Sequence, residues 1–204
     1  MNKTVGIFLA ACLVLLSNVA LFAQTGDVKS PSQQSVARLQ LIFGNLGASQ
    51  TNLYSTQGWG DVAGDGCISP GIFPAMPFVP KSNSHASQVR VPVQWAAGTD
   101  AINLSIYDDA GGVPGQLLAG PVTVTNLPNW LTCCALATAS FSPVALTGGS
   151  QYWIVADSHT DFCGTWAYVA RPGFVIAYGG VGVAWQAQNN GIVELAGAVL
   201  GTIP

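Results

Sequence analysis

The sequence predicts an all-β protein, a two-sheet antiparallel sandwich with jelly-roll connectivity that follows an N-terminal signal peptide. Three observations carry this expectation. From Leu39 onward, apolar and β-branched residues recur in short bursts. Glycine and proline punctuate those bursts, 24 and 12 of them in 204 residues. Helical periodicity is missing nearly everywhere, so a short helix is admissible only over Gln34 to Ile42. Many short strands at regular spacing, joined by glycine-bearing turns, are the pattern of a sandwich rather than of a helical or α/β fold.

The elements follow in chain order. Residues 1–23 have the layout of a secretory signal: positive charge at Lys3, an apolar run from Val5 to Leu16, a polar break at Ser17 and Asn18, and small Ala23 before Gln24. The apolar run is shorter than the ~20 residues that span a bilayer, and cleavage is expected after Ala23. Lipidation of Cys12 within Leu9-Ala10-Ala11-Cys12 is the competing reading, disfavoured because more apolar residues follow that cysteine. Residues 24–37 read as a polar leader and 38–204 as one domain, the expected number at this length.

Within that domain, Gln88 to Trp95 alternates, with Val89, Val91, Val93 and Trp95 on one face. Pro92 donates nothing to a ladder and marks an edge or a bulge. After a turn at Gly98-Thr99-Asp100, Ile102, Leu104 and Ile106 form the apolar face of the next strand. Asp108 to Gly115 is the densest turn signal, with carboxylates to cap amides, glycines for positive φ and Pro114 to fix its own φ. Further strands are expected at 117–125, 135–141, 151–156, 165–170, 174–178, 183–188 and 192–199.

Composition narrows the function classes. Only 7% of residues are charged, against about 25% in ordinary globular proteins, and the net charge is −3. Lys29, Arg38, Lys81, Arg90 and Arg171 are scattered, so no basic patch is expected to neutralise phosphates; nucleic acid is excluded as a partner and anionic lipid disfavoured. No stretch of residues 24–204 is apolar for long enough to cross a bilayer as a helix. An exported protein, released into the periplasm or the medium, is expected.

Export gives the cysteines their meaning. Cys67, Cys133, Cys134 and Cys163 remain after cleavage, an even number in a disulfide-permitting compartment. Neighbouring side chains in an extended strand point to opposite faces, which favours separate partners for Cys133 and Cys134, one pairing with Cys67 and the other with Cys163. A bond between adjacent Cys133 and Cys134 stays open as the third connectivity. Zinc is disfavoured for want of a Cys-x-x-Cys pair.

Four stretches, in order, carry a family likeness: Asn45-Leu46-Gly47 with Gly58-Trp59, Tyr107-Asp108-Asp109 through Gly112-Val113-Pro114-Gly115, Leu127-Pro128 ahead of Cys133-Cys134, and Leu146-Thr147-Gly148-Gly149-Ser150-Gln151-Tyr152-Trp153. On these the chain resembles the secreted bacterial choice-of-anchor β-sandwich proteins over roughly residues 40–200. The resemblance implies a sandwich, an exported location and no established activity, and it transfers no catalytic residue. The sorting tail of some relatives has no counterpart in Gly201-Thr202-Ile203-Pro204, which is the ground for expecting release rather than anchoring.

Chemistry is sparse. Asp157-Ser158-His159-Thr160-Asp161 sets a histidine between carboxylates, as a general base or a metal ligand would need, but turn formers of this kind on loops are ordinarily solvated. No Gly-x-Ser-x-Gly elbow accompanies His159 or His85, so no catalytic residue is assigned and a hydrolase ranks last. Structural calcium is a weaker possibility at Asp108 and Asp109, with Asp61 and Asp65 as a second acidic loop. No other cofactor is expected. Six tryptophans are the stronger signal. Trp95 and Trp153 are expected in the core, whereas Trp59, Trp130, Trp166 and Trp185 fall near loops or strand ends, where indoles stack on sugar faces. Non-catalytic binding of a carbohydrate or another cell-surface ligand is therefore the leading expectation. A structural or adhesive component without a small ligand is its rival.

Overall fold

A computed structural model describes residues 38–47, 59–132, 135–170, 175–189 and 193–204, without the side chains of Trp59, Ala170 and Val193. The described residues hold fourteen strands and no helix. The one place where a helix was admissible, as far as it is described, is instead the strand β1 (Gln40–Gly44). Along the chain it is followed by β2 (Trp59–Ala63), β3 (Phe73–Phe78), β4 (Ser84–Val91) and β5 (Val93–Ala97). The long hairpin of β6 (Ala101–Asp109) and β7 (Pro114–Thr125) comes next, then β8 (Ala137–Leu146), β9 (Tyr152–Asp157) and β10 (Cys163–Ala170). The chain closes with the hairpin of β11 (Val175–Gly180) and β12 (Val183–Asn189), then β13 (Val193–Leu195) and β14 (Ala198–Thr202).

These strands form three antiparallel sheets. One has the order β1-β14-β4-β8, and a larger one the order β12-β11-β3-β9-β6-β7. The third is small: β10 is its spine, with β2, β5 and β13 paired to it. Alternation explains how they meet. Ile102, Leu104 and Ile106 of β6, Met76 and Phe78 of β3 and Ile154 of β9 turn one face of the six-stranded sheet inward. Val89 and Val91 of β4, Ala139 of β8 and Val199 of β14 do the same for the four-stranded sheet, while Val62, Val93 and Trp166 come from the small one. All belong to one contiguous buried cluster within the unit Ala37–Pro204.

Pro92 has a different role from the edge or bulge expected of it. The alternation through Val89, Val91 and Val93 holds, and all three are buried. At Pro92 the chain leaves the four-stranded sheet, where β4 pairs with β14 and β8, and enters the small one, where β5 pairs with β10. A residue without an N–H suits this switch, since no donor is left unpaired while its carbonyl accepts from Ala167 N of β10 at 3.2 Å. The expected strand at 192–199 is likewise two strands, β13 and β14, with Gly197 between them. Buried Asn45 locks this turn, its Nδ2 donating to Leu195 O at 2.8 Å and its Oδ1 accepting from Gly197 N at 2.7 Å.

The cysteine pairing also departs from the expected one. Cys67 is bonded to Cys163, their Cα atoms 5.7 Å apart. The pairing of β2 with β10 sets Ala63 opposite Cys163, and the loop after β2 folds back at once, with Gly64 N donating to Phe162 O at 2.8 Å and Gly66 N to Thr160 O at 3.1 Å. This places Cys67 beside Cys163, so neither takes Cys133 or Cys134 as a partner. Cys133 and Cys134 lie outside the described residues.

Candidate functional site

The small sheet carries a polar row on the face turned from the core, with Asp61 exposed, Gln94 half-buried and Thr165 buried between them. Asp61 on β2 lies opposite Thr165 on β10, which lies opposite Gln94 on β5, while Val62, Trp166 and Val93 turn inward. Gln94 clamps the turn beyond β5. Its Oε1 accepts from Leu131 N at 3.2 Å and its Nε2 donates to Thr132 O at 3.2 Å. The backbone of Trp95 holds the same turn from the other side, donating to Pro128 O at 2.9 Å and accepting from Trp130 N at 2.7 Å. Leu131 is thereby kept at φ 68°, a left-handed conformation that costs a non-glycine residue about 1–2 kcal/mol. Held in this way, the turn keeps Trp130 45% and Leu131 68% exposed.

Trp130 and Asp61 line one cleft of about 250 Å³, together with Ile68, Thr165 and the Cys67–Cys163 bridge. On the other side of Asp61 a second cleft of about 390 Å³ is lined by Asp61, Gly71, Ile72, Tyr178, Gln186 and Gln188. Alternation along β12 puts Gln186 and Gln188 on this side of the β11–β12 hairpin and Trp185 on the reverse. The hydroxyls of Tyr178 and Tyr168 lie 3.3 Å apart over Gly60. A Cβ at Gly60 would come within 2.7 Å and 3.1 Å of those two oxygens, so the closeness of the phenols to β2 requires glycine here. Burial pushes the Tyr178 phenol well above its ordinary range, with the Tyr168 hydroxyl and the Asp61 charge acting in the same direction. It is a neutral hydrogen-bonding group in the cleft.

The sequence-derived candidates are not brought together. Trp166 is a correction: it is fully buried, and its Nε1 donates to Ala196 O at 2.7 Å, because β10 is the spine of its sheet and its inward positions face the core. Trp185 is half-buried on the outer face of the six-stranded sheet, against Ala75, Trp153, Val155 and Ala177. Trp59 opens β2, with its side chain outside the described atoms. Of the three whose side chains are described, Trp130 lines one of the two clefts and Trp166 and Trp185 line neither. Asp61, weighed in the sequence only as a calcium ligand, is the carboxylate both clefts share. Tyr178, Gln186 and Gln188 were missed, since alternation gives their face but not what stands opposite it.

The Asp108 and Asp109 carboxylates are taken up by amides of their own turn and, at Asp109, by side chains of Gln151 and Trp153. Asp108 Oδ1 accepts from Gln116 N, while Asp109 accepts from Gly112 N, from Gln151 Nε2 at 2.7 Å and from Trp153 Nε1 at 2.8 Å. Among the described residues no group of three or more His, Cys, Asp or Glu is placed to hold a metal ion. In the other cluster, His159 is 64% exposed and its Nε2 is 3.7 Å from Asp157 Oδ1. Asp157 accepts from Asn103 Nδ2 at 3.0 Å, and Asp161 caps Thr99, accepting from its N at 2.9 Å and its Oγ1 at 2.6 Å.

These carboxylates set a pH dependence. The Thr99 hydrogen bonds hold Asp161 below the ordinary 3.8. Burial tends to raise Asp109, but the hydrogen bonds from Trp153, Gln151 and the turn amides outweigh it and hold Asp109 low as well. A carboxyl lowered by folding lends stability that is complete above its unfolded value and is lost as the pH falls through its folded value. Asp157, raised by burial against the opposing Asn103 hydrogen bond and His159, has the reverse sign, and the folded state gains as it protonates. Urea titrations across the acid range should therefore show Asp161→Asn less stable than wild type near neutrality, with the gap closing below about pH 4. A gap that stays constant with pH would show that Asp161 is not held low.

Compared with models of known protein families, with curated proteins and with solved structures, the chain matches none.

Proposed function

We propose that this chain is an exported, non-catalytic β-sandwich domain of the choice-of-anchor kind, with jelly-roll connectivity, that binds a neutral carbohydrate in the clefts around Asp61. The observation that carries the reading is that Trp130, an exposed indole on a rigidly held turn, lines the same cleft as the Asp61 carboxylate. An indole face packs against the C–H face of a sugar ring, and a carboxylate accepts from its hydroxyls. Tyr178, Gln186 and Gln188 add further neutral hydrogen-bonding groups, and among the described residues no cation lines either cleft to favour an anionic polymer. The Cys67–Cys163 bridge supports an oxidising destination, as the signal-like residues 1–23 do in the sequence.

Calorimetric titration of residues 24–204 against a panel of neutral glycans tests the proposal. Binding by the wild type is expected, weakened about tenfold or more by Trp130→Ala and by Asp61→Asn, each loss corresponding to ~1.4 kcal/mol. Silence across the panel, or binding that neither substitution affects, would overturn it. The structural or adhesive reading is favoured by a different observation. β12 (Val-Ala-Trp-Gln-Ala-Gln-Asn) ends the order of its sheet and carries neither proline nor charge, the devices that blunt edge strands. Under that reading the purified domain self-associates, and a charge introduced at Ala187 abolishes the association.

A further inference from the structure

We infer that the two clefts are subsites of one elongated site, so that the ligand is an oligosaccharide whose affinity grows with chain length, with Asp61 contacting it between the two ends. The inference rests on the carbohydrate reading above and specifies the ligand class.

Its basis is the wall between the clefts. Asp61 lines both, and the loop that follows it turns Cys67 and Ile68 to the smaller cleft and Gly71 and Ile72 to the larger one. That loop is fastened at each end and in its middle. Ala63 and Ile72 exchange backbone hydrogen bonds of 3.0 Å and 2.8 Å, Cys67 is bonded to β10, and Val181 N in the β11–β12 turn donates to Pro70 O at 2.8 Å. Gly64 and Gly66 press so closely on the 158–161 segment that a Cβ at Gly64 would lie 2.0 Å from Thr160 O and one at Gly66 2.9 Å from Asp161 Cα. The distance between the subsites is therefore set before any ligand arrives, and an already rigid site loses little conformational freedom on binding.

Size points the same way. At about 390 Å³ and 250 Å³, the larger cleft lies low within, and the smaller one below, the ~300–1,000 Å³ range of pockets that enclose a small molecule. Each alone is sized for a short stretch of a glycan chain rather than for a long one. A chain that occupies both makes its second contact intramolecularly, and its affinity exceeds what either cleft supplies. The chemistries differ usefully between the ends. The smaller cleft has an indole for stacking, the larger one Gln186, Gln188 and Tyr178 for hydroxyls, and the common carboxylate lies between.

Length ladders of neutral sugars test the inference: β-1,4-linked glucose, mannose and N-acetylglucosamine and α-1,4-linked glucose, each from the monomer to the hexamer, titrated against residues 24–204. For at least one ladder, affinity is expected to rise about a hundredfold or more from monomer to hexamer. Gln186→Ala with Gln188→Ala at one end, and Trp130→Ala at the other, should each remove most of that rise. His159→Ala, outside both clefts, should leave it intact. If monomer and hexamer bind equally, or if only one end matters, the two-subsite inference fails while carbohydrate binding stands. If no ladder and no panel glycan binds, both fail together. Circular dichroism of each variant ensures that a lost rise is not lost folding.

Discussion

Trp166→Ala is expected to lower the stability of the domain by about 3–5 kcal/mol, a large share of the ~5–15 kcal/mol by which a domain of this kind is stable. Two losses combine. The indole is fully buried in the main core, opposite Gly60 on one neighbouring strand and Val93 on the other. Removing it opens a cavity where the strands on both sides are already committed to β10, so collapse is limited. The substitution also strips Ala196 O of the donor that reaches it at 2.7 Å, and an orphaned buried carbonyl costs about 1–3 kcal/mol. Trp166→Phe separates the two, restoring much of the packing without the hydrogen bond, and should recover more than half of the loss. Urea denaturation monitored by far-UV circular dichroism checks the series. A loss below about 1 kcal/mol for Trp166→Ala would show that the indole is not in the core, whereas Trp130→Ala, on an exposed turn, should stay within about 0.5 kcal/mol of wild type.

Removing the Cys67–Cys163 bond, by replacing both residues with alanine, is the second large effect expected. The two are 96 residues apart in sequence, and in the chain-entropy account a cross-link closing a loop of that length stabilises the folded state by about 4–5 kcal/mol. The bridge also holds the loop that separates the two clefts, so under the carbohydrate proposal glycan affinity should fall along with stability even under conditions where the variant is folded. Peptide mapping under non-reducing conditions is the direct check, with Cys67 and Cys163 expected in one linked fragment. Recovery of Cys67 joined to Cys133 or Cys134 would contradict the structure. An unchanged urea midpoint on removing the pair would contradict the energetic argument.

Why the pairing escaped sequence reasoning is instructive. Alternation assigns a side chain to a face of its own strand, and on that basis Cys133 and Cys134 diverge. What joins Cys67 to Cys163 is the pairing of β2 with β10 across about a hundred residues of sequence, followed by an immediate reversal of the chain at Gly64. Nothing local in Gly64-Asp65-Gly66-Cys67 specifies that partner. Pro92 repeats the lesson. Its missing donor was legible, but whether the break it forces is an edge, a bulge or a passage between sheets depends on which strands stand alongside. The tryptophans show it a third time: Trp130 and Trp166 both follow turn-like sequence, yet one is exposed by the Gln94 clamp and the other is buried because β10 is flanked on both sides.

The sequence by itself determined the all-β class, the alternating apolar faces of β4 and β6, the Asp108–Gly115 turn and a set of cysteines able to pair. These are short-range properties: side-chain period, turn chemistry and composition act within a few residues of one another. Only the tertiary structure decided the order of strands in three sheets, the Cys67–Cys163 bond, and the meeting of Asp61 with Trp130 on one side and with Tyr178, Gln186 and Gln188 on the other. Those residues come from parts of the chain up to ~130 positions apart, brought together because each strand had to find both a ladder and a core-facing side at once.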